Sequence, residues 1–82
     1  MRTIVGGRVD VCETPSGFHY KINENYRPGN LDIGDLYPSD GKWILILDTR
    51  YKVSQTWSFD TPGDVEKWME ELCRYNMGGG LF

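Results

Sequence analysis

Residues 61–77 carry the signals of a single amphipathic helix, and this helix constrains the fold most strongly. Thr61 suits an N-cap, Pro62 suits the first helical position, and Asp64 lies near the positive end of the helix dipole. Apolar side chains then recur with helical spacing and form one stripe: Val65, Trp68, Met69, Leu72 and Cys73. Such a stripe has to be buried against a second element, and the preceding residues predict a sheet.

Four runs of strand character precede the helix and predict two hairpins. Val9 and Val11 alternate with polar residues in the first run (8–13), and a proline–glycine turn joins it to the second run (18–23). The second pair is a continuous apolar run (42–48) and an alternating run (51–59). The sequence therefore predicts an α+β fold, an antiparallel β-sheet of about four strands in the order β-β-loop-β-β-α, with one C-terminal amphipathic helix packed on one face.

The connection between the two hairpins, residues 23–41, contains two proline–glycine turn signals. A structureless connection of this length is unusual in a compact domain, so we expect its apolar residues to dock it on the core and residues 31–37 to form a short strand or helical turn. Near the N-terminus, Gly6 and Gly7 fit either a tight turn or a kink within one longer strand.

The 82 residues are expected to form one α+β domain over residues 1–77, followed by a flexible glycine-rich tail over residues 78–82. The two cysteines, Cys12 and Cys73, give no disulfide framework, and no signal peptide is recognisable. The longest apolar run is far too short to span a bilayer. These features predict a cytoplasmic protein with reduced thiols and no membrane association.

No constellation of residues predicts catalysis, a cofactor or a bound metal. His19 is the only histidine and falls on the polar side of its strand, where a solvated imidazole is expected. The two cysteines and His19 lack the close ligand pairs of a zinc site. The spacing of Asp32, Asp35 and Asp40 does not fit a calcium-binding loop.

The acidic connection is the best candidate for a binding site. Its four acidic residues and one arginine give residues 23–41 a net charge of −3, equal to that of the whole chain. Tyrosine anchors many interfaces, and loops often carry function on a rigid scaffold. The predicted partner-binding residues are Glu24, Tyr26, Asp32, Asp35, Tyr37 and Asp40. A purely structural loop, docked by its leucines, is the alternative.

The acidic balance, with a pI of about 4.9, favours a protein partner with a basic surface over nucleic acid. A small single-stranded nucleic-acid-binding protein remains the alternative, because Arg8, Lys21 and Lys52 are expected on the polar face of the sheet with His19. The order of strands and helix is similar to that of single-strand-binding coactivator and whirly domains. A homodimer also stays open, since association adds burial to a small domain.

The chain as a whole resembles small phage-encoded inhibitors such as anti-CRISPR proteins. The shared features are an acidic chain of about this length, a small sheet and one helix, and the segment Gly63 to Leu72 looks like the closing helix of several of them. The resemblance implies a non-enzymatic protein that binds and blocks a host nucleic-acid-handling protein in the host cytoplasm. It matches no defining motif and assigns no functional residue.

Overall fold

The computed structural model describes residues 2–47 and 56–74. One antiparallel sheet contains six strands that neighbour one another in chain order, and a C-terminal helix follows them. The strands are β1 (Arg2–Ile4), β2 (Val9–Thr14), β3 (Gly17–Ile22), β4 (Asp32–Ser39), β5 (Lys42–Leu47) and β6 (Thr56–Phe59), and the helix is α1 (Pro62–Arg74). The predicted α+β class, antiparallel sheet and C-terminal helix are confirmed, whereas the prediction of about four strands is wrong.

One of the two additional strands is β1, which forms a hairpin with β2. Gly6 and Gly7 have φ angles of 61° and 89°, and the Arg8 amide donates a hydrogen bond to the Val5 carbonyl at 3.2 Å. These are the features of a type I′ turn, whose two central residues need positive φ and therefore favour glycine. The glycine pair is thus a tight turn and not a kink.

The other additional strand, β4, comes from the predicted connection. Its eight residues pair with β3 on one side and with β5 on the other. Pro38 had indicated a turn, yet it lies beyond the end of the β3 pairing, which stops at Leu36. Because Pro38 lies outside this pairing, its missing amide N–H costs no hydrogen bond to β3. The sequence predicts a short strand or helical turn at residues 31–37. The structure has a longer strand there, and it lies in the interior of the sheet.

The core lies between one face of the sheet, here called the core face, and α1. The helix begins as the sequence predicts, because the Thr61 hydroxyl accepts a hydrogen bond from the Asp64 amide at 3.2 Å. The residues of the helical stripe are buried or half-buried, and Trp68 packs against the rings of Trp57 and Phe59. The buried apolar side chains are Ile4, Val5, Val9, Val11, Tyr20, Ile22, Ile33, Leu36, Leu45, Leu47, Val65 and Met69.

Several predicted elements extend beyond the described residues, among them the predicted helix, whose last three residues (75–77) are not described. Only residues 56–59 of the predicted strand 51–59 are described, and they form β6. The predicted glycine-rich tail, residues 78–82, lies outside the described residues altogether.

The Tyr20 side chain is fully buried beneath α1, and its hydroxyl has no hydrogen-bond partner within the described residues. Burial and the nearby Glu66 charge raise the pKa of Tyr20 to about 12, although the Arg2 charge opposes the shift, so the hydroxyl stays protonated at neutral pH. A buried hydroxyl without a partner destabilises the folded state by about 1–3 kcal/mol.

We therefore expect Tyr20→Phe to raise the free energy of unfolding by about 1 kcal/mol, because it removes the buried hydroxyl and keeps the ring. Urea denaturation at pH 7 measures the change. Tyr37→Phe, on the opposite face and half-buried, is the matched control and should change stability by less than about 0.5 kcal/mol. A clear loss of stability in Tyr20→Phe alone would show that the hydroxyl makes a favourable bond in solution.

Candidate functional site

The side of the sheet opposite α1, here called the outer face, collects polar and apolar side chains from all six described strands. Residues that are directly paired across an antiparallel sheet point to the same side, so the strand register defines this face. One row runs Cys12, His19, Asp35, Ile46 and Thr56 across β2 to β6, and a second row includes Tyr37, Ile44 and Ser58. A third row is Asp10, Lys21 and Asp32.

An aspartate–histidine–aspartate cluster lies at the centre of the outer face. The imidazole of His19 on β3 contacts one carboxylate at each nitrogen: Nδ1 lies 2.8 Å from Asp35 Oδ1, and Nε2 lies 2.8 Å from Asp32 Oδ1. The His19 side chain is 27% exposed, Asp32 37% and Asp35 67%. The imidazole is therefore held more firmly, and is less solvated, than the sequence predicted.

A β-bulge in β4 makes this cluster possible. Tyr20 pairs with Gly34, but its neighbour Lys21 pairs with Asp32, so Ile33 is an extra residue on β4. In a regular strand, residues three apart point to opposite faces. The extra residue restores Asp32 and Asp35 to one face, while Ile33 is fully buried. The same irregularity thus fills the core and presents two carboxylates to His19.

Gly34 fixes the bulge against β5. A Cβ atom at this position would lie 2.4 Å from the Ile46 carbonyl oxygen, so only glycine allows β5 to approach so closely. The bulge and the close approach are neighbouring features of one strand, and both depend on the residues Ile33 and Gly34.

The charge state of the cluster follows from its contacts. Burial lowers the pKa of His19, whereas its hydrogen bonds to Asp32 and Asp35 and the charges of these carboxylates raise it, and the net effect lies above the ordinary value of 6.5. The cluster carries one net negative charge when the imidazole is protonated and two when it is neutral.

Apolar side chains lie directly beside the cluster. Ile46 pairs with Asp35, and its side chain is exposed (40%). Ile44 pairs with Tyr37 in the adjacent row, and both are half-buried. The outer face therefore combines an acidic cluster with a small apolar strip formed by Tyr37, Ile44 and Ile46.

The structure divides the six predicted partner-binding residues among three places. Asp32, Asp35 and Tyr37 lie on the outer face, within β4 and not in a loop. Glu24 and Tyr26 lie in the β3–β4 connection, where the Tyr26 ring stacks under the Arg8 guanidinium at 5.4 Å. Asp40 lies in the β4–β5 turn at the other end of β4. A strand of eight residues spans roughly 25 Å, so the six residues do not form one compact patch.

Three residues of the aspartate–histidine cluster and the apolar strip were not among the predicted site residues: His19, Ile44 and Ile46. The alternation of polar residues places His19 on the outer side of β3, but its partners come from a different strand. The run of apolar residues in β5 predicted burial on both faces. The exposed Ile46 side chain shows that, within the described part of the chain, one of these faces is incompletely covered.

The arrangement offers little acid–base or metal chemistry. Cys12 and His19 are paired neighbours, yet both imidazole nitrogens already contact carboxylates, so neither is available to take a proton from the thiol. Asp32 and Asp35 lie at opposite edges of the ring and do not converge on one point. No group of three or more histidine, cysteine or acidic side chains in residues 2–47 and 56–74 has a metal-binding arrangement.

Of the basic residues proposed for a nucleic-acid surface, Lys21 lies on the outer face and Arg8 does not. The Lys21 ammonium donates to the Asn30 side chain at 2.9 Å, and the Arg8 guanidinium lies over Tyr26, outside the strands. Lys52 lies outside the described residues.

Comparison with protein-family models, with curated proteins and with solved structures found no match to this chain. Among the described residues, no helix has the length and apolar character needed to cross a membrane.

Proposed function

We propose that this chain is a non-enzymatic protein-binding domain and that the outer face is its binding surface. The observation that carries the proposal is the pairing of an exposed carboxylate, Asp35, with an exposed aliphatic side chain, Ile46, on the face opposite α1. Exposed apolar groups rimmed by charged ones are typical of protein–protein interaction surfaces.

The composition of the outer face favours a partner with a basic surface. Interfaces bury an apolar centre within a polar rim, and complementary charges at the rim speed association and select the partner. Here Tyr37, Ile44 and Ile46 supply the apolar centre. Asp32 and Asp35 supply negative charge beside it, and this charge is only partly offset by His19.

The specific form of this function that we propose is a phage-type inhibitor. It would occupy a nucleic-acid groove of a host protein in the host cytoplasm. Such grooves are basic because they bind phosphates. An acidic face with a small apolar centre is complementary to a groove of this kind. The support is therefore the chemistry of the outer face together with the acidic balance of the chain, whose net charge is −3.

We expect Ile46→Lys to reduce capture of the partner at least about tenfold, because it removes an exposed apolar contact and places a positive charge against a basic surface. Immobilised wild-type protein and variants are incubated with bacterial lysate, and bound proteins are quantified by mass spectrometry. Ser16→Lys, in the exposed β2–β3 turn, makes the same charge change away from the strip and should capture the partner normally.

Equal capture by both variants would remove the outer face from the interface. Fluorescence anisotropy with labelled single-stranded oligonucleotides at low salt provides the second measurement. Binding that is strong, salt-dependent and weakened by Lys21→Ala would favour the nucleic-acid alternative over the protein-binding function. Light scattering of the wild-type protein and of Ile46→Lys shows whether the face instead joins two copies of this chain.

A further inference from the structure

The contacts of His19 fit one protonation state of the ring when both carboxylates are ionised. An ionised carboxylate only accepts hydrogen bonds, so each imidazole nitrogen at 2.8 Å from an aspartate oxygen has to donate one. An imidazole that donates from both nitrogens is the protonated, positively charged form. With both carboxylates ionised, the arrangement therefore fits an imidazolium held between them.

Loss of one proton breaks this symmetry. The neutral ring has one donor and one acceptor, so one carboxylate then faces a lone pair and is repelled. Asp35 is 67% exposed and Asp32 only 37%, so Asp35 returns to water at the lower cost. The remaining proton then stays on Nε2, where it continues to hold Asp32.

Within residues 2–47 and 56–74, the other ionisable groups that face His19 come from β2, β3 and β4, and several have partners of their own. The Asp10 carboxylate accepts from Asn23 at 2.8 Å and from Thr3 at 3.4 Å, while Lys21 bonds to Asn30. Cys12 is the paired neighbour on β2, and Tyr37 is two residues beyond Asp35 on the same face. Among the described residues, the two aspartates are the groups in direct hydrogen-bond contact with the ring.

We propose that Asp32, His19 and Asp35 form a proton-operated switch on the outer face, which holds Asp35 against the sheet when the imidazole is protonated and releases its carboxylate to a basic partner when the imidazole is neutral. The part that concerns a partner rests on the proposed function, whereas the switch itself does not. The outer face is more negative, and Asp35 more accessible, in the deprotonated state.

The switch is tested first in the isolated protein by long-range ¹H–¹⁵N NMR between pH 5 and pH 9. His19 is the only histidine, so the imidazole signals need no assignment by mutagenesis. We expect both nitrogens to be protonated at low pH, a midpoint above 6.5, and the Nε2–H tautomer at high pH. The Asp35 carboxyl ¹³C signal should titrate with the same midpoint and shift more than that of Asp32.

Asp35→Asn isolates the contribution of Asp35. It should lower the titration midpoint of His19, because the ring loses one of its charged partners. A wild-type midpoint at or below 6.5, or a neutral ring that keeps its proton on Nδ1, would overturn the switch. So would an Asp35 carboxyl signal that does not respond to the His19 titration.

The direction in which the free energy of unfolding changes with pH provides an independent check. A histidine whose pKa is raised by folding stabilises the protein fully below its unfolded pKa of 6.5, and the stabilisation is lost as the pH rises through the folded pKa. The urea midpoint of the wild type should therefore fall between pH 6.5 and pH 8.5 by more than that of His19→Gln. Equal falls in both proteins would contradict the proposed coupling.

The effect on binding is measured with a hexalysine peptide, which stays charged throughout this pH range. We expect it to bind more tightly at pH 8.5 than at pH 5.5, with the largest amide shifts at Asp35 and Ile46, and we expect the pH effect to disappear in His19→Gln. No difference between the two pH values in the wild type would overturn this part of the proposal.

The two proposals fail separately. Normal capture of the lysate partner by Ile46→Lys would reject the binding surface and leave the NMR titration as it is. An uncoupled titration in a protein whose partner capture still depends on Ile46 would reject the switch alone.

Discussion

Gly34→Ala is expected to lower the free energy of unfolding by about 3 kcal/mol or more, the largest loss we predict for a change of one methyl group. The added Cβ would lie 2.4 Å from the Ile46 carbonyl oxygen and 3.1 Å from the Leu47 Cα. Both atoms belong to the β5 backbone, so relief requires the central strands β4 and β5 to separate. Urea denaturation, followed by tryptophan fluorescence, measures the change.

Two other glycines provide matched controls for the same substitution. Gly63 lies in the first turn of α1, where the nearest atom to an added Cβ is the Thr61 hydroxyl at 3.7 Å, and alanine there should stabilise the helix by up to about 1 kcal/mol. Gly41 has open space but a φ of +78°, so its replacement should cost about 1 kcal/mol from the backbone alone. A Gly34→Ala protein as stable as the wild type would mean that β4 and β5 lie further apart.

The helix could be predicted from the sequence because its signals are local. Thr61, Pro62 and the repeated apolar spacing all lie within one short segment, and each acts through neighbours three or four residues away. The hairpin β2–β3 is predictable for the same reason, since its two strands flank a four-residue turn. In both cases the structure has the element where the sequence placed it.

β4 was not predicted as a full strand because its stability depends on pairing with strands on both sides. Its own residues include a glycine and a proline, which favour turns when considered alone. The structure tolerates each for a non-local reason: Gly34 lies where β5 approaches closely, and Pro38 lies beyond the β3 pairing. A segment without the usual strand residues can thus form an interior strand when the neighbouring strands satisfy its backbone hydrogen-bonding groups.

Only part of the candidate site is predictable from the sequence, for a related reason. The chemistry of Asp32, Asp35 and Tyr37 predicts a role in binding, and these residues share one face. Their partner His19 is 13 and 16 residues away, and the one-residue bulge that brings both aspartates to its ring has no signature in the sequence. Spacing alone would have placed the two aspartates on opposite faces.

Met69→Ala is expected to lower the free energy of unfolding by about 2–5 kcal/mol, because the Met69 side chain is fully buried between α1 and the sheet. The residue belongs to the single apolar stripe that holds the helix on the core face, and Val65 is the other fully buried member. Truncation leaves a cavity that the rigid strands below cannot close. The loss should appear both in urea denaturation and as faster amide exchange along α1.

Two variants distinguish this loss from a general effect of altering the helix. Met69→Leu keeps nearly the same volume and should cost less than about 1.5 kcal/mol, while Glu70→Ala changes an exposed neighbour and should stay within about 0.5 kcal/mol. A loss below about 1 kcal/mol in Met69→Ala would show that α1 contributes little to folding. The six-stranded sheet would then have to be stable with its core face exposed to water. That outcome is not expected, because α1 buries the apolar side chains of this face.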